Sequence, residues 1–140
     1  TTYKVNSIGT IYNNEKVFHS TRSTIYPALK ELDGFSHINV LWWFSDFDNE
    51  DFRSVLETDQ PYKKAPEKMG IFATRSPVRP NPIALSAVEI INIDYMSADQ
   101  IAYIDANDKT PILDIKPYTP SWIEWKIRKF QIGVVIGLTA

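Results

Sequence analysis

The chain contains no cysteine, so disulfide staples and thiolate metal sites are excluded. It has two histidines, His19 and His37, at no metal-like spacing, and a zinc site is not expected. Five glycines are scattered at positions 9, 34, 70, 133 and 137. None belongs to a phosphate-cradling glycine loop, and there is no serine nucleophile elbow. No apolar run reaches the roughly 18 residues of a membrane span. The opening "TTYKVNSIGTIYNN" lacks a signal-peptide core, so the expected location is the cytoplasm. A net charge of −2 argues against a generic nucleic-acid binder.

What is present is unevenly distributed. Lys63, Lys64, Lys68, Arg75 and Arg79 face only Glu67 between residues 63 and 79, five cations against one acid, a local +4. Asp46, Asp48, Glu50, Asp51, Glu57 and Asp59 face only Arg53 between 46 and 59, a local −5. Such asymmetry can focus an anionic ligand on one face; it is equally what two solvated loops look like.

With 140 residues the expectation is a single domain, 1–140. Ile38, Val40, Trp42 and Phe44 alternate through "FSHINVLWWFS", the period of a strand. "YKVNSIGTI", "GIFAT", "PIALSAVEIINI", "QIAYID" and "TPILDIKPY" also read as strands. Helix signals are few. "TIYPALKEL" has a proline suited to a first turn, and "DNEDFRSVLETD" has Asp48 in a capping position with Phe52, Val55 and Leu56 on one face. Six or seven short strands with one or two short helices predict an all-β protein, a small closed or nearly closed β-barrel.

The stretch "RSPVRPNP", 75 to 82, places two arginines and three prolines in eight residues directly before a strand. Pro77, Pro80 and Pro82 hold Ser76, Arg79 and Asn81 extended, which lowers the entropy lost on fixing Arg75 and Arg79. A guanidinium fork suits a carboxylate, a phosphate or a ring face. Either an anion site or a surface loop with locally paired arginines accounts for this. In "TPILDIKPY", Asp114 and Lys116 share one strand face opposite Leu113 and Ile115, a spacing typical of a structural ion pair. Trp42 is expected in the core, while Trp43 is free to line a cleft or stack.

Taken together, "DGFSHINVLWWF", "GIFATRSPVRPNPIALSAVEI" and "KTPILDIKPYTP" resemble, in order and spacing, the three signatures of the TrmO (TsaA/YaeB-like) family of S-adenosylmethionine-dependent tRNA methyltransferases. The resemblance covers residues 31 to 120. It implies a β-barrel working as a homodimer, with S-adenosyl-L-methionine held near the subunit interface. The implied substrate is tRNA, methylated at N6 of the threonylcarbamoyladenosine just 3′ of the anticodon; no metal and no membrane are implied. By position, Arg75, Leu85, Tyr103, Ile104 and Asp105 would bind the cofactor. Arg79, Asn81, Lys116 and Tyr118 would be available to the substrate, with residues 114–118 forming a cleft wall. A general base is expected, but no residue is singled out for it.

The chain departs from the family pattern in several places. Residues 13–24 lack the usual Pro-Arg-Gln loop. Ser45 stands where histidine is common, Lys109 and Ala84 stand where glycine is usual, and there is no room for the C-terminal domain of longer members. The tail 122–140 does not look like the family. It and residues 17–27 can both be obtained by reading family-like peptides one base out of frame; the rival for the tail is an ordinary last strand, "FQIGVVIG". Two further functions stay open: a methyltransferase of this fold with another substrate, and a degenerate, non-catalytic ligand- or RNA-binding module.

Overall fold

Ile38, Val40 and Trp42 alternate with Asn39, Leu41 and Trp43, and that alternation decides which way the central strand faces. In the computed structural model, which describes residues 1–12, 17–20, 27–93, 99–101 and 104–119, β3 (His37–Trp43) turns those three side chains inward, where they are buried. Around it lie β1 (Gly9–Tyr12), β2 (Val17–Ser20), β6 (Ile83–Ile93), β7 (Asp99–Ile101) and β8 (Thr110–Pro117). These run in the closed order β1-β2-β7-β6-β3-β8, and every neighbouring pair is antiparallel. Outside the ring, β4 (Glu57–Asp59) and β5 (Lys68–Gly70) form a separate hairpin. The architecture is thus mostly strands with few helices, curled into a barrel-like sheet, in line with the sequence expectation.

The core is filled from four strands and one connecting segment. Ile11, Ile38, Val40, Trp42, Ala84, Val88 and Ile112 pack with Ile104 and Ala106. Each large aliphatic side chain so buried contributes about 1.5–3 kcal/mol by removal from water. Trp42 keeps its polar atom satisfied, its Nε1 donating to Ser86 Oγ at 3.0 Å as a buried indole requires. β8 closes the ring by pairing with β1, Gly9 opposite Ile112. The tail 122–140, with its expected strand "FQIGVVIG", lies outside the described residues.

Several local expectations are corrected. "GIFAT" is not a strand: it is the end of β5 followed by a 3-10 turn, Ile71–Ala73. The acidic helix is one turn long, α1 (Glu50–Arg53), and is capped by Asn49, whose Oδ1 accepts from Phe52 N at 2.8 Å; Leu56 is exposed. After Pro27 there is a 3-10 turn over residues 27–29. β8 carries a bulge, because Leu41 opposes Asp114 while Trp42 opposes Ile112. The extra residue lets Ile112 and Ile115 both reach the core despite their odd spacing.

Lys109 sits at φ 64°, in the left-handed region, in the turn leading into β8. A side chain there is strained, while glycine is not. Lys109→Gly is expected to raise stability by up to about 1 kcal/mol in urea titration, and the β-branched Lys109→Val to lower it.

Candidate functional site

The segment that follows β5 has no sheet ladder to satisfy its backbone, and a side chain does so instead. Arg79 donates from Nη1 to Thr74 O at 3.3 Å and Ser76 O at 3.2 Å, and from Nη2 to Ile71 O at 3.4 Å. Thr74 Oγ1 donates to Ile71 O at 2.8 Å and accepts from Ser76 N at 3.2 Å; Ser76 Oγ accepts from Val78 N at 3.2 Å. The C-terminal end of the loop is fastened by Pro82, whose side chain is fully buried and whose carbonyl accepts from Phe44 N at 2.8 Å.

A second arginine braces the loop from outside. Arg53 Nη1 donates to Pro80 O at 3.1 Å. Its Nε meets Asp48 Oδ1 at 2.6 Å, and its guanidinium lies 5.5 Å from the centre of the Trp43 ring. Trp43 Nε1 donates to the other Asp48 oxygen at 3.2 Å. Trp43 is therefore held on the outer face by Asp48 and Arg53. The hydrogen bond from Arg53, helped by that from Trp43, holds the Asp48 carboxyl below its ordinary value against a smaller opposing effect of burial.

Arg75 is different. It is exposed, and its one described hydrogen bond runs from Nη2 to Leu85 O at 3.2 Å. That bond marks a particular edge. Pro82 O and Ile90 N both bond to residues flanking or within β3, so the even-numbered residues of β6 direct their peptide groups toward β3. Ile83, Leu85 and Ala87 direct theirs the other way. Among the described residues no strand pairs with that second side before Ile90.

Along this open edge lies a cleft of about 560 Å³, lined by Arg75, Arg79, Asn81, Leu85, Ile104 and Asp105 among others. Six residues singled out from the sequence are thus brought together. Ile104 is buried and Asp105 exposed, its Oδ1 3.4 Å from Ser86 Oγ. Trp42, Phe44 and Asp105 also border a neighbouring cavity of about 200 Å³, where Asn107 Nδ2 donates to Asp46 Oδ2 at 2.7 Å. Thr74, Ile83 and Ser86 line the cleft without having been anticipated. Ser86 carried a usable signal, a polar residue between the inward-facing Ala84 and Val88.

Two of the nominated residues lie elsewhere. Lys116 pairs with Asp114 at 3.3 Å on an exposed face of β8, opposite Asn39. Tyr118 donates its backbone N–H to His37 O at 3.1 Å and sets its ring edge-on to His37. Both sit across β3 from the arginine loop, at the end of that strand away from Phe44, so residues 114–118 do not wall this cleft. Tyr103, and the part of the 13–24 loop outside β2, lie outside the described residues.

Two measurements separate these roles. Arg79→Ala is expected to cost about 2 kcal/mol in urea titration, because it strands loop carbonyls, whereas Arg75→Ala stays within about 0.5 kcal/mol of the parent. The lowered Asp48 value means its contribution is complete above the ordinary carboxylate range and disappears as pH falls through the lowered value. The stability gap between the parent and Asp48→Asn is therefore expected to shrink as pH falls from neutrality through and below the ordinary carboxylate range.

Comparison with known proteins places this geometry among relatives. The family model of the tRNA-methyltransferase O N-terminal domain matches residues 10–122. An S-adenosyl-L-methionine-binding protein of Archaeoglobus fulgidus is 36% identical over 93 residues, covering 66% of this chain and 62% of that protein. A tRNA (adenine(37)-N6)-methyltransferase of Escherichia coli is 35% identical over 96 residues, 66% of this chain and 40% of the enzyme. The crystal structure of TrmO from Pseudomonas aeruginosa superposes with a TM-score of 0.64 at 24% identity, covering 87% of this chain and 58% of that one; at that identity the likeness is one of fold. The chain thus spans between 40% and 62% of the length of these proteins.

Proposed function

This chain belongs to the tRNA-methyltransferase O N-terminal domain family, and on that premise we propose that it is an S-adenosyl-L-methionine-dependent methyltransferase acting on tRNA, at N6 of the threonylcarbamoyladenosine beside the anticodon. The observation that carries the proposal is the convergence of Arg75, Arg79, Asn81, Leu85, Ile104 and Asp105 on one cleft.

The residues present fit such a cofactor. The cleft volume of about 560 Å³ lies within the range of small-molecule sites. Arg75 has guanidinium donors free of described partners and suits the carboxylate end. Ile83, Leu85 and Ile104 offer an apolar wall for the adenine, and the peptide groups of Leu85 and Ala87 offer hydrogen bonds to its edge. Asp105 beside Ser86 suits the ribose hydroxyls or the neighbourhood of the sulfonium. When bound, the cofactor supplies an electrophilic methyl group for in-line displacement.

The chain's own contribution is then mainly positioning. Arg79 keeps the loop rigid and, with Asn81 next to it, presents remaining donors for the threonyl carboxylate of the substrate. The accepting nitrogen must lose a proton. Among the described residues Asp105 is the only carboxylate lining the cleft, and it is the first group to test as acceptor. Lys116 and Tyr118 are left out of the proposed site.

The proposal extends to one folding unit over 1–140, to a cytoplasmic location shared with tRNA, and to a homodimer. Ile83, Leu85 and Ala87 form an exposed apolar patch on the outer face of β6, bounded by Glu89, which supports an association between copies.

Calorimetric titration with S-adenosylhomocysteine is expected to give one site per chain, with Arg75→Ala weakening it at least about tenfold. Labelled methyl transfer is expected with tRNA carrying the threonylcarbamoyl group and not with tRNA lacking it. No binding of S-adenosylhomocysteine would overturn the enzyme reading; transfer indifferent to the modification would overturn the substrate.

A further inference from the structure

We infer that the β4–β5 hairpin is an RNA-docking arm whose tip, Tyr62, Lys63 and Lys64, holds the nucleic-acid strand beside the cleft; this rests on the methyltransferase reading for the identity of its partner. The tip is built to be rigid. Gln60 Nε2 donates to Lys63 O at 3.0 Å and to Ala65 O at 2.8 Å, and Ala65 N donates to Tyr62 O at 2.9 Å. Ala65 is buried beneath the tip, and Pro61 and Pro66 flank it.

What this ordered loop displays is unpartnered. Tyr62 is 60% exposed. Lys63 and Lys64 are exposed and, among the described residues, form no ion pair. Lower on the hairpin Lys68 meets Asp59 at 3.2 Å, and Glu57 and Glu67 are exposed carboxylates with no ion pair among the described residues. The free positive charge is therefore concentrated at the tip, next to an aromatic face. Cations that neutralise phosphates, interleaved with rings that stack on bases, make up the chemistry of single-strand recognition.

The arm is joined to the cleft. Ile71 N donates to Leu56 O at 2.9 Å, closing the base of the hairpin, and the chain then enters the 3-10 turn that Arg79 braces. Phe72 on that turn is 82% exposed, and Arg75 of the cleft follows three residues later. At about 3.3 Å per residue the tip stands up to about 20 Å from this base. A second copy of the chain would have to present acidic groups to the tip. In the acidic segment Asp46, Asp48 and Asp59 are already engaged by Asn107, Arg53 and Lys68, while Glu50, Asp51 and Glu57 are exposed and form no ion pair among the described residues; the exposed Tyr62 ring beside the two cations is what favours RNA over such a contact.

The test uses fluorescence anisotropy with an anticodon stem-loop RNA, alongside S-adenosylhomocysteine titration of the same samples. The paired change Lys63→Ala, Lys64→Ala is expected to weaken RNA binding about tenfold or more. It should lower the slope of log affinity against log salt by about 1.4, at about 0.7 per single-strand phosphate. Tyr62→Ala is expected to weaken binding at least about fivefold with the slope unchanged. Cofactor-product affinity stays at the parent value in both. Unchanged RNA affinity and slope overturn the arm, as does failure of the parent to bind RNA. Loss of self-association in sedimentation with RNA affinity intact overturns it in favour of a chain–chain contact. A parent that binds RNA through the tip but not S-adenosylhomocysteine overturns the methyltransferase reading and leaves the arm standing.

Discussion

The site depends on one guanidinium. A turn outside a sheet leaves its carbonyls without ladder partners, and carbonyls that are half-buried must find donors or remain costly. Arg79 supplies three of them from a planar fork whose donors are fixed relative to one another. Because the carbonyls belong to Ile71, Thr74 and Ser76, a single side chain sets the relative positions of the hairpin base, the exposed Phe72 ring and Arg75. The prolines at 77, 80 and 82 remove the remaining freedom on the other side. Lysine, with a compact ammonium, could not span the same set.

Around that loop the barrel creates the cleft by what it leaves open. β6 is eleven residues long and β7 only three, so the long strand outruns its neighbour on one side while β3 covers the other. The open side takes a cation from the loop at Leu85 and faces residues 104–105 across the gap. Trp42 ties this region to the core, with its ring packed inside and its N–H passed to Ser86, which in turn lies beside Asp105. The core and the site thus share a hydrogen-bonded chain, and the two cavities meet at Trp42, Phe44 and Asp105.

Much of this was legible in the sequence where periodicity was strong. β3, β6 and β8 match their expected spans closely, since each carries alternating β-branched and aromatic residues with one buried face. The cleft set from Arg75 to Asp105 was legible as a resemblance, and the structure brings it together. The failures have separate physical reasons. "GIFAT" carries strand-like residues, but the Arg79 bonds that hold it as a turn come from up to eight residues away, and no propensity registers them. The bulge in β8 is an extra residue with no compositional mark. The two arginines look equivalent in the sequence because both belong to one proline-rich stretch; only the carbonyls around them tell the brace from the free donor. The side of β3 on which Lys116 and Tyr118 fall is a matter of strand order, which local pattern does not encode.

The open side of β6 has a further consequence. A wall made of peptide groups is indifferent to the side chains that decorate it. Replacements at Leu85 or Ala87 reshape the surface while the amides and carbonyls stay in place, and proline alone deletes a donor outright. Drift along this strand can therefore be wide while the donors and acceptors of its open edge persist, so that chains with dissimilar side chains keep the same hydrogen-bonding face.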